Sequence, residues 1–125
     1  MNWSRKLAGT ALAALSALPL SLAGGVQPAS ADTRGSCPYP YVCVYSNNSA
    51  SGSPSAMYRD ITSNYQTVTP RDPFSIINTR NDDTVYVLYV YGGQITSDCL
   101  APNGGFYSTS NTTIAGIRID DRSYC

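Results

Sequence analysis

The sequence predicts an all-β fold, a small sandwich or barrel, from three observations. Beyond residue 36 the chain is rich in Tyr, Val, Ile and Thr, the residue types favoured in strands. Gly, Pro, Asn and Asp interrupt it at roughly the 8–12-residue spacing of a sandwich or barrel. No run has the length and periodicity of a helix. We therefore predict many short strands packed around one compact core.

Eight segments are predicted to be strands. They are residues 41–46, 55–59, 65–69, 74–78, 84–91, 94–97, 105–108 and 114–120. The fifth, TVYVLYVY, is apolar on both faces, which predicts a central strand packed on both sides or one whose tyrosine hydroxyls reach the rim. The last alternates, and Ala115, Ile117 and Ile119 are predicted to share its buried face.

Residues 1–31 are typical of a secretory signal peptide. A positive pair at 5–6 precedes an apolar run over 7–22, and the small residues 29–31 form a cleavage site. The alternative is a membrane anchor, but the apolar core is short for a span of about 20 residues and contains Pro19. We therefore expect a secreted, extracellular protein.

The mature chain would consist of a short polar leader, residues 32–36, and one domain, residues 37–125. It contains no Lys, Glu or His, and six arginines against eight aspartates give a net charge of −2. A near-neutral domain without a basic cluster predicts no nucleic-acid partner and no binding to anionic membrane.

Four cysteines in a small exported domain predict two disulfides. They are Cys37, Cys43, Cys99 and Cys125. Four cysteines allow three pairings, and the entropy of the unfolded chain does not choose among them. We favour Cys37–Cys43 with Cys99–Cys125, because Pro38 and Pro40 stiffen a short loop whose ends can meet.

The absent residue types argue against an enzyme. Without His or Lys, a chain has no Ser-His-Asp triad, no Cys-His pair and no Schiff base. The aspartate pairs at 82–83 and 120–121 are sequence neighbours, which point to opposite faces of a strand and are typical of solvated turns. The cysteine spacings of five, fifty-five and twenty-five residues fit neither zinc nor redox motifs. A binding or inhibitory domain without a metal or other cofactor is the expected class.

The start of the mature chain resembles a known family. Ser36-Cys37-Pro38, followed by Cys43-Val44-Tyr45-Ser46, is similar to the N-terminal signature of secreted actinobacterial peptidase inhibitors (peptidase inhibitor family 36). Looser similarities to crystallin-type repeats follow: an aromatic strand and glycine at 45–52 and 89–93, and strand openings at 72–78 and 111–119. The resemblance implies a βγ-crystallin-like Greek-key sandwich with two disulfides that inhibits metalloproteinases.

The resemblance also implies a site and a partner. Asp98, Cys99, Leu100 and Ala101 would form a rigid, substrate-like inhibitory loop, with Leu100 as the apolar residue after the scissile position. The partner would be a secreted protease, and the inhibitor itself would be a monomer. In the crystallin-type calcium motif this chain has Arg71 at an acidic position, and the second copy at 111–116 has also lost oxygen ligands, so no tight calcium site is expected.

An alternative function stays open. The domain would then be a non-inhibitory structural module, or one that binds surfaces or glycans through exposed tyrosines of its two-sided strand. The two hypotheses differ at Cys99 and Leu100, because a protruding loop there favours inhibition and a buried one removes its main support. An unrecognised hydrolase is a third, weaker hypothesis.

Overall fold

Eight β-strands make up the regular structure of the computed structural model, which describes residues 32–125. The predicted signal peptide, residues 1–31, lies outside the described residues. The strands are β1 (Val42–Tyr45), β2 (Ala56–Tyr58), β3 (Gln66–Thr67), β4 (Ser75–Asn78), β5 (Thr84–Tyr91), β6 (Gln94–Leu100), β7 (Gly105–Tyr107) and β8 (Thr112–Asp120). Each overlaps one of the eight predicted segments, and residues 32–125 contain no helix. The all-β prediction is confirmed.

The strands form two four-stranded antiparallel sheets. Sheet 1 has the order β2-β1-β4-β7, and sheet 2 has the order β3-β8-β5-β6. Sheet 1 contains β1, β2 and β4 from the first half of the chain, and sheet 2 contains β5, β6 and β8 from the second half. The third strand of each half, β3 or β7, joins the opposite sheet. The two halves therefore have the same strand order, and β6 forms one edge of sheet 2.

The main core lies between the two sheets. Alternate side chains of the central strands point into it because successive residues of a strand face opposite ways. Its buried members are Val42, Val44, Val68, Phe74, Ile76, Val85, Val87, Tyr89, Leu100, Ile114, Ile117 and Ile119. Burial of each aliphatic side chain contributes about 1.5–3 kcal/mol before conformational entropy is counted, so this core holds the sheets together.

A second, smaller core covers the outer face of sheet 1. Cys43 and Tyr45 of β1 point away from the main core and are buried with Cys37 and Ile77. The segment before β1 lies over them, and the hydroxyls of Ser36 and Tyr45 are 2.9 Å apart. Within the stretch CPYPYVCVYS, the residues before Val42 thus cover the outer face of the first strand. The polar leader packs against the domain.

Both disulfides join the cysteines that we favoured from the sequence. Cys37 bonds Cys43 and Cys99 bonds Cys125, each with 5.8 Å between the Cα atoms. Two disulfides are typical of an oxidising, extracellular-type environment. Within residues 32–125, no helix is long and apolar enough to cross a membrane.

A β-bulge in β8 changes the predicted alternation of the last strand. Leu88 pairs with Gly116 but Tyr89 pairs with Ile114, so Ala115 is the extra residue. The buried face consequently holds Ile114, Ile117 and Ile119, and Ala115 is only half-buried. The prediction that Ala115 shares that face was wrong, because one inserted residue shifts the period-two pattern.

Candidate functional site

The edge strand β6 is hydrogen-bonded on one side only. It pairs with β5 from Val85 opposite Leu100 to Tyr91 opposite Gln94, without a break in register. Along its other side, no strand of the described residues pairs with it. A free, seven-residue edge presents backbone N–H and C=O groups that an extended partner chain can pair with.

A two-residue turn connects β5 to this edge. Gly92 has a φ of 54° and Gly93 a φ of 81°, both in the left-handed region. A hairpin turn with positive φ at both central residues matches the twist of the flanking strands, and glycine adopts it without strain. The N–H of Gly92 also donates to the carbonyl of Asn111 at 3.2 Å, which ties the turn to the start of β8.

Two further links hold β6 along its length. The phenolic Oη of Tyr89 donates to Oδ2 of Asp98 at 2.6 Å. This hydrogen bond to a carboxylate, together with burial, raises the pKa of Tyr89 to about 12. Near the end of the strand, Cys99 is bonded to Cys125, the last residue of the chain. The edge strand is therefore constrained at its turn and, near its end, at the neighbouring residues Asp98 and Cys99.

The four residues of the expected inhibitory loop do not form a loop. Asp98, Cys99 and Leu100 are the last three residues of β6, and only Ala101 lies beyond it. Leu100 is 6% exposed and belongs to the main core, while Asp98 and Ala101 are exposed. Unlike the protruding loop that was expected, the register opposite Val85 directs Leu100 inward, and its side chain is packed in the main core.

Ile95 is the exposed apolar residue that sequence reasoning missed. It lies directly after the hairpin turn and Gln94, opposite Val90 on the outer face of sheet 2, and is 77% exposed. That value is the highest among the exposed large hydrophobic side chains of residues 32–125. The signal was available, since Ile95 lies two residues after Gly-Gly, but only the register decides which face it occupies.

An aromatic cleft of about 270 Å³ opens between β5 of sheet 2 and β7 of sheet 1. Its lining residues are Tyr89, Tyr91, Phe106, Tyr107, Thr109 and Thr112. The ring centroids of Tyr89 and Phe106 are 5.3 Å apart, and Phe106 stacks on Phe74 at 5.4 Å. The floor of the cleft is thus part of the packed core, whereas Tyr91 stands at its mouth and is 54% exposed. The ring of Tyr107 turns back over Gly105, beside Ile77, on the outer face of sheet 1.

The larger depression near Arg80 has this arginine already paired. It has a volume of about 590 Å³ and is lined by Pro40, Arg59, Asp60, Ile61 and Arg80. The guanidinium of Arg80 pairs with Asp83 and donates to the carbonyls of Pro40 and Arg59. Because all three nitrogens are engaged, Arg80 links the loops around it.

One aspartate of each predicted pair has a structural role, because it forms an ion pair with an arginine. Asp83 pairs with Arg80, and Asp120 accepts from Nη1 of Arg118 at 2.8 Å. The backbone N–H of Arg122 and the side chain of Arg118 lower the pKa of Asp120 despite an opposing effect of burial. Within residues 32–125, no group of three or more His, Cys, Asp or Glu side chains could hold a metal ion.

Arg118 also lies over aromatic rings on the outer face of sheet 2. Its guanidinium carbon is 4.5 Å from the ring centre of Tyr86 and 5.9 Å from that of Tyr65. This arrangement covers part of the apolar surface of the two-sided strand. This two-sided strand, β5, is central in sheet 2. Its inner face is buried, and Tyr86, Leu88 and Val90 on its outer face are half-buried.

No protein family, curated protein or solved structure matches this chain. Two features of the described residues can serve as binding sites: the constrained free edge of β6 and the aromatic cleft beside it.

Proposed function

We propose that this protein is a secreted, βγ-crystallin-like inhibitor of peptidases, with metalloproteinases as its targets. The observation that carries the proposal is the free edge of β6, an extended strand held rigid at both ends. The predicted signal peptide of this protein and its two disulfides support secretion.

The strand order supports the crystallin-like part of the proposal. In the first half of the chain, β4 returns to lie beside β1 after β3 has crossed to the other sheet. The second half repeats this with β8 beside β5 and β7 crossing. A fourth strand that returns beside the first is the mark of a Greek key, and two such units sharing one core give the proposed sandwich.

Contacts in the first half support the same assignment. The aromatic, glycine and serine positions Tyr45, Gly52 and Ser75 meet at one end of sheet 1. Ser36 Oγ contacts both the Tyr45 hydroxyl and the Gly52 carbonyl. Ser75 Oγ accepts from the N–H of Ala50 at 2.9 Å and donates to the carbonyl of Asn47 at 2.7 Å. The second half has the short Gly92-Gly93 turn instead of this folded loop.

The free edge of β6 supports inhibition rather than simple binding. An extended chain that pairs through main-chain hydrogen bonds is one of the recurring modes of peptide recognition. A strand that is already extended loses little conformational entropy on binding, which improves its affinity over a flexible peptide. The hydrogen bonds between β5 and β6 would also hold together the two sides of a bond cleaved before Ile95, so that cleavage releases no product.

Ile95 takes the role that the sequence had suggested for Leu100. Thermolysin-like proteases favour an apolar side chain just after the scissile bond, and Ile95 is the exposed apolar side chain on β6. The inhibitory contact in this proposal is the β6 backbone from Gln94 through Asp98 and Cys99, with Ile95 as its side-chain anchor. The catalytic zinc in such a complex belongs to the protease.

The test is a titration of protease activity with protein purified after expression of the full chain for export. Secreted metallo-, serine and cysteine proteases form the panel, and we expect a thermolysin-like metalloprotease to be inhibited. Replacing Ile95 by Asp should weaken inhibition by at least about tenfold, which equals about 1.4 kcal/mol. The matched control is Ile61→Asp, which alters another exposed isoleucine away from β6.

The control should stay within about twofold of the parent protein, a change below about 0.5 kcal/mol. Thermal melts of both variants verify that the fold is retained. Absence of inhibition across the metalloprotease panel would refute the proposal. Equal loss in the Ile95 and Ile61 variants would remove β6 from the contact.

A further inference from the structure

The aromatic cleft contains a tyrosine that faces inward but has no sheet over it. Tyr91 continues the inner face of β5 after Val85, Val87 and Tyr89, and the pairing with β6 keeps this alternation. The first three are buried, yet Tyr91 is 54% exposed. Sheet 1 ends before it reaches this position, so the space between the sheets opens to solvent at the end of β5.

The floor of this opening is rigid. Tyr89 is tilted against Phe106 at 5.3 Å and against Phe74 at 6.5 Å, and its hydroxyl is fixed by Asp98. Rings packed in this way keep one orientation, and a ligand pays little to order them. The cleft is therefore formed before any ligand arrives.

The rim of the opening is polar but carries no charge. Its exposed hydroxyls come from Tyr91 and Thr109, and none of the six lining residues is charged. The hydroxyls of Thr109 and the buried Thr112 are 3.4 Å apart, and Thr112 donates to the carbonyl of Ser110 at 3.3 Å. Hydrogen bonds of this length are weak, so the exposed Thr109 hydroxyl keeps the capacity to bond a ligand.

We infer that the cleft binds one ring of a neutral polysaccharide. A pyranose presents C–H groups on its faces, hydroxyls around its perimeter and no charge, which match the aromatic floor with the Tyr91 ring, the exposed hydroxyls and the neutral lining in turn. The volume of about 270 Å³ lies just below the range of about 300–1,000 Å³ for drug-sized ligands, so the cleft holds a single ring of a longer chain. The side opening lets the rest of the polymer continue past Tyr91.

The experiment titrates the isotopically labelled protein with neutral oligosaccharides while its NMR spectrum is recorded. Cello-, malto-, xylo- and chito-oligosaccharides form the panel. We expect one of them to saturate, with shifts centred on Tyr89, Tyr91 and Phe106. Tyr91→Ala should weaken that binding by about tenfold or more, because it removes the exposed ring.

Two matched variants complete the design. Tyr91→Phe keeps the ring and should bind within about threefold of the parent protein. Tyr124→Ala removes an exposed tyrosine outside the cleft and should leave binding unchanged. Thermal melts verify that all three variants fold.

Three results would overturn the inference: no oligosaccharide saturates, the shifts map outside the cleft, or Tyr91→Ala binds as well as the parent protein. Phenylalanine amide is the competing probe. If it saturates the cleft and no sugar does, the cleft accepts a protein side chain and the inference is wrong. The inference is independent of protease inhibition, because Ile95→Asp should leave sugar binding intact.

Discussion

The hydroxyl of Tyr89 lies 2.6 Å from Oδ2 of Asp98 and joins the central strand β5 to the edge strand β6. The two residues are diagonal neighbours, since Tyr89 is opposite Thr96 and Asp98 is opposite Val87. This bond lies between the two features proposed to bind partners. It fixes a ring in the floor of the aromatic cleft and, at the same time, the second half of the free edge.

The Tyr89–Asp98 bond predicts a late tyrosine titration. Its acceptor carboxylate and burial raise the Tyr89 pKa from 10.0 to about 12. The corresponding stability is present in full below pH 10, and it is lost as the pH rises through 12, because the unfolded chain releases its proton first. NMR of 13C-labelled tyrosine rings should show one resonance titrating near this value, and Tyr89→Phe should delete it. A titration with the majority of tyrosines would contradict the bond.

Tyr89→Phe is also expected to reduce stability. It removes a hydrogen bond to a charged group, a loss of about 1.5–3 kcal/mol before relaxation. Urea unfolding at neutral pH measures the loss, with Tyr91→Phe as the control. The control should change by less than about 0.5 kcal/mol, because Tyr91 is exposed. Equal stability of the two variants would show that the bond contributes little.

The burial of Leu100 predicts a large difference between two residues of β6. Leu100→Ala leaves a cavity in the main core and should lower the free energy of unfolding by about 2–5 kcal/mol. Ile95→Ala should change it by less than about 0.5 kcal/mol, since Ile95 is 77% exposed. Urea unfolding of both variants is the measurement. A harmless Leu100→Ala would restore this residue as a candidate for a protease contact.

The two disulfides are expected to differ in their response to reductant. Cys37 and Cys43 are fully buried, whereas Cys99 is half-buried and Cys125 exposed. Mild reduction of the folded protein, alkylation and peptide mass spectrometry should therefore label Cys99 and Cys125 first. Loss of that bond should reduce stability by about 3.5 kcal/mol in the chain-entropy model. Earlier labelling of Cys37 or Cys43 would contradict the prediction.

The hairpin turn predicts opposite tolerance to two substitutions at Gly92. A Cβ at this position meets no atom within 4 Å, so only its φ of 54° restricts the residue. Gly92→Asn should be nearly neutral, because Asn-Gly is a preferred pair for such turns. Gly92→Val should lower the unfolding free energy by about 1–2 kcal/mol, since a β-branched residue is strained there. Similar stabilities would show that the turn adopts another conformation.

The regular fold could be predicted from the sequence to a large extent. Alternating Val, Ile and Tyr between turn residues gave all eight strands, and the double-sided pattern of Thr84–Tyr91 gave a central strand. The local disulfide pairing was also predictable, because Pro38 and Pro40 leave a short loop whose ends can meet. These features depend on residues near one another in the chain, where backbone and side-chain preferences act directly.

The candidate site could not be predicted in the same way. Leu100 and Ile95 are both apolar residues near turns, and no local property separates the buried one from the exposed one. Their difference arises from the register of β6 on β5, which directs Leu100 towards the core and Ile95 outward. The aromatic cleft depends in addition on where sheet 1 ends over Tyr91, a relationship between strands distant in the chain.

By itself, the sequence determined the strand content, the stapled first strand and the absence of His, Lys and Glu from residues 32–125. Those properties follow from composition and short-range geometry. Only the tertiary structure decided which edge is free, which apolar side chain projects and where the two sheets leave an aromatic opening. The physical reason is that exposure depends on strand pairing between the two halves of the chain, and a shift of one residue in that pairing exchanges its buried and exposed faces.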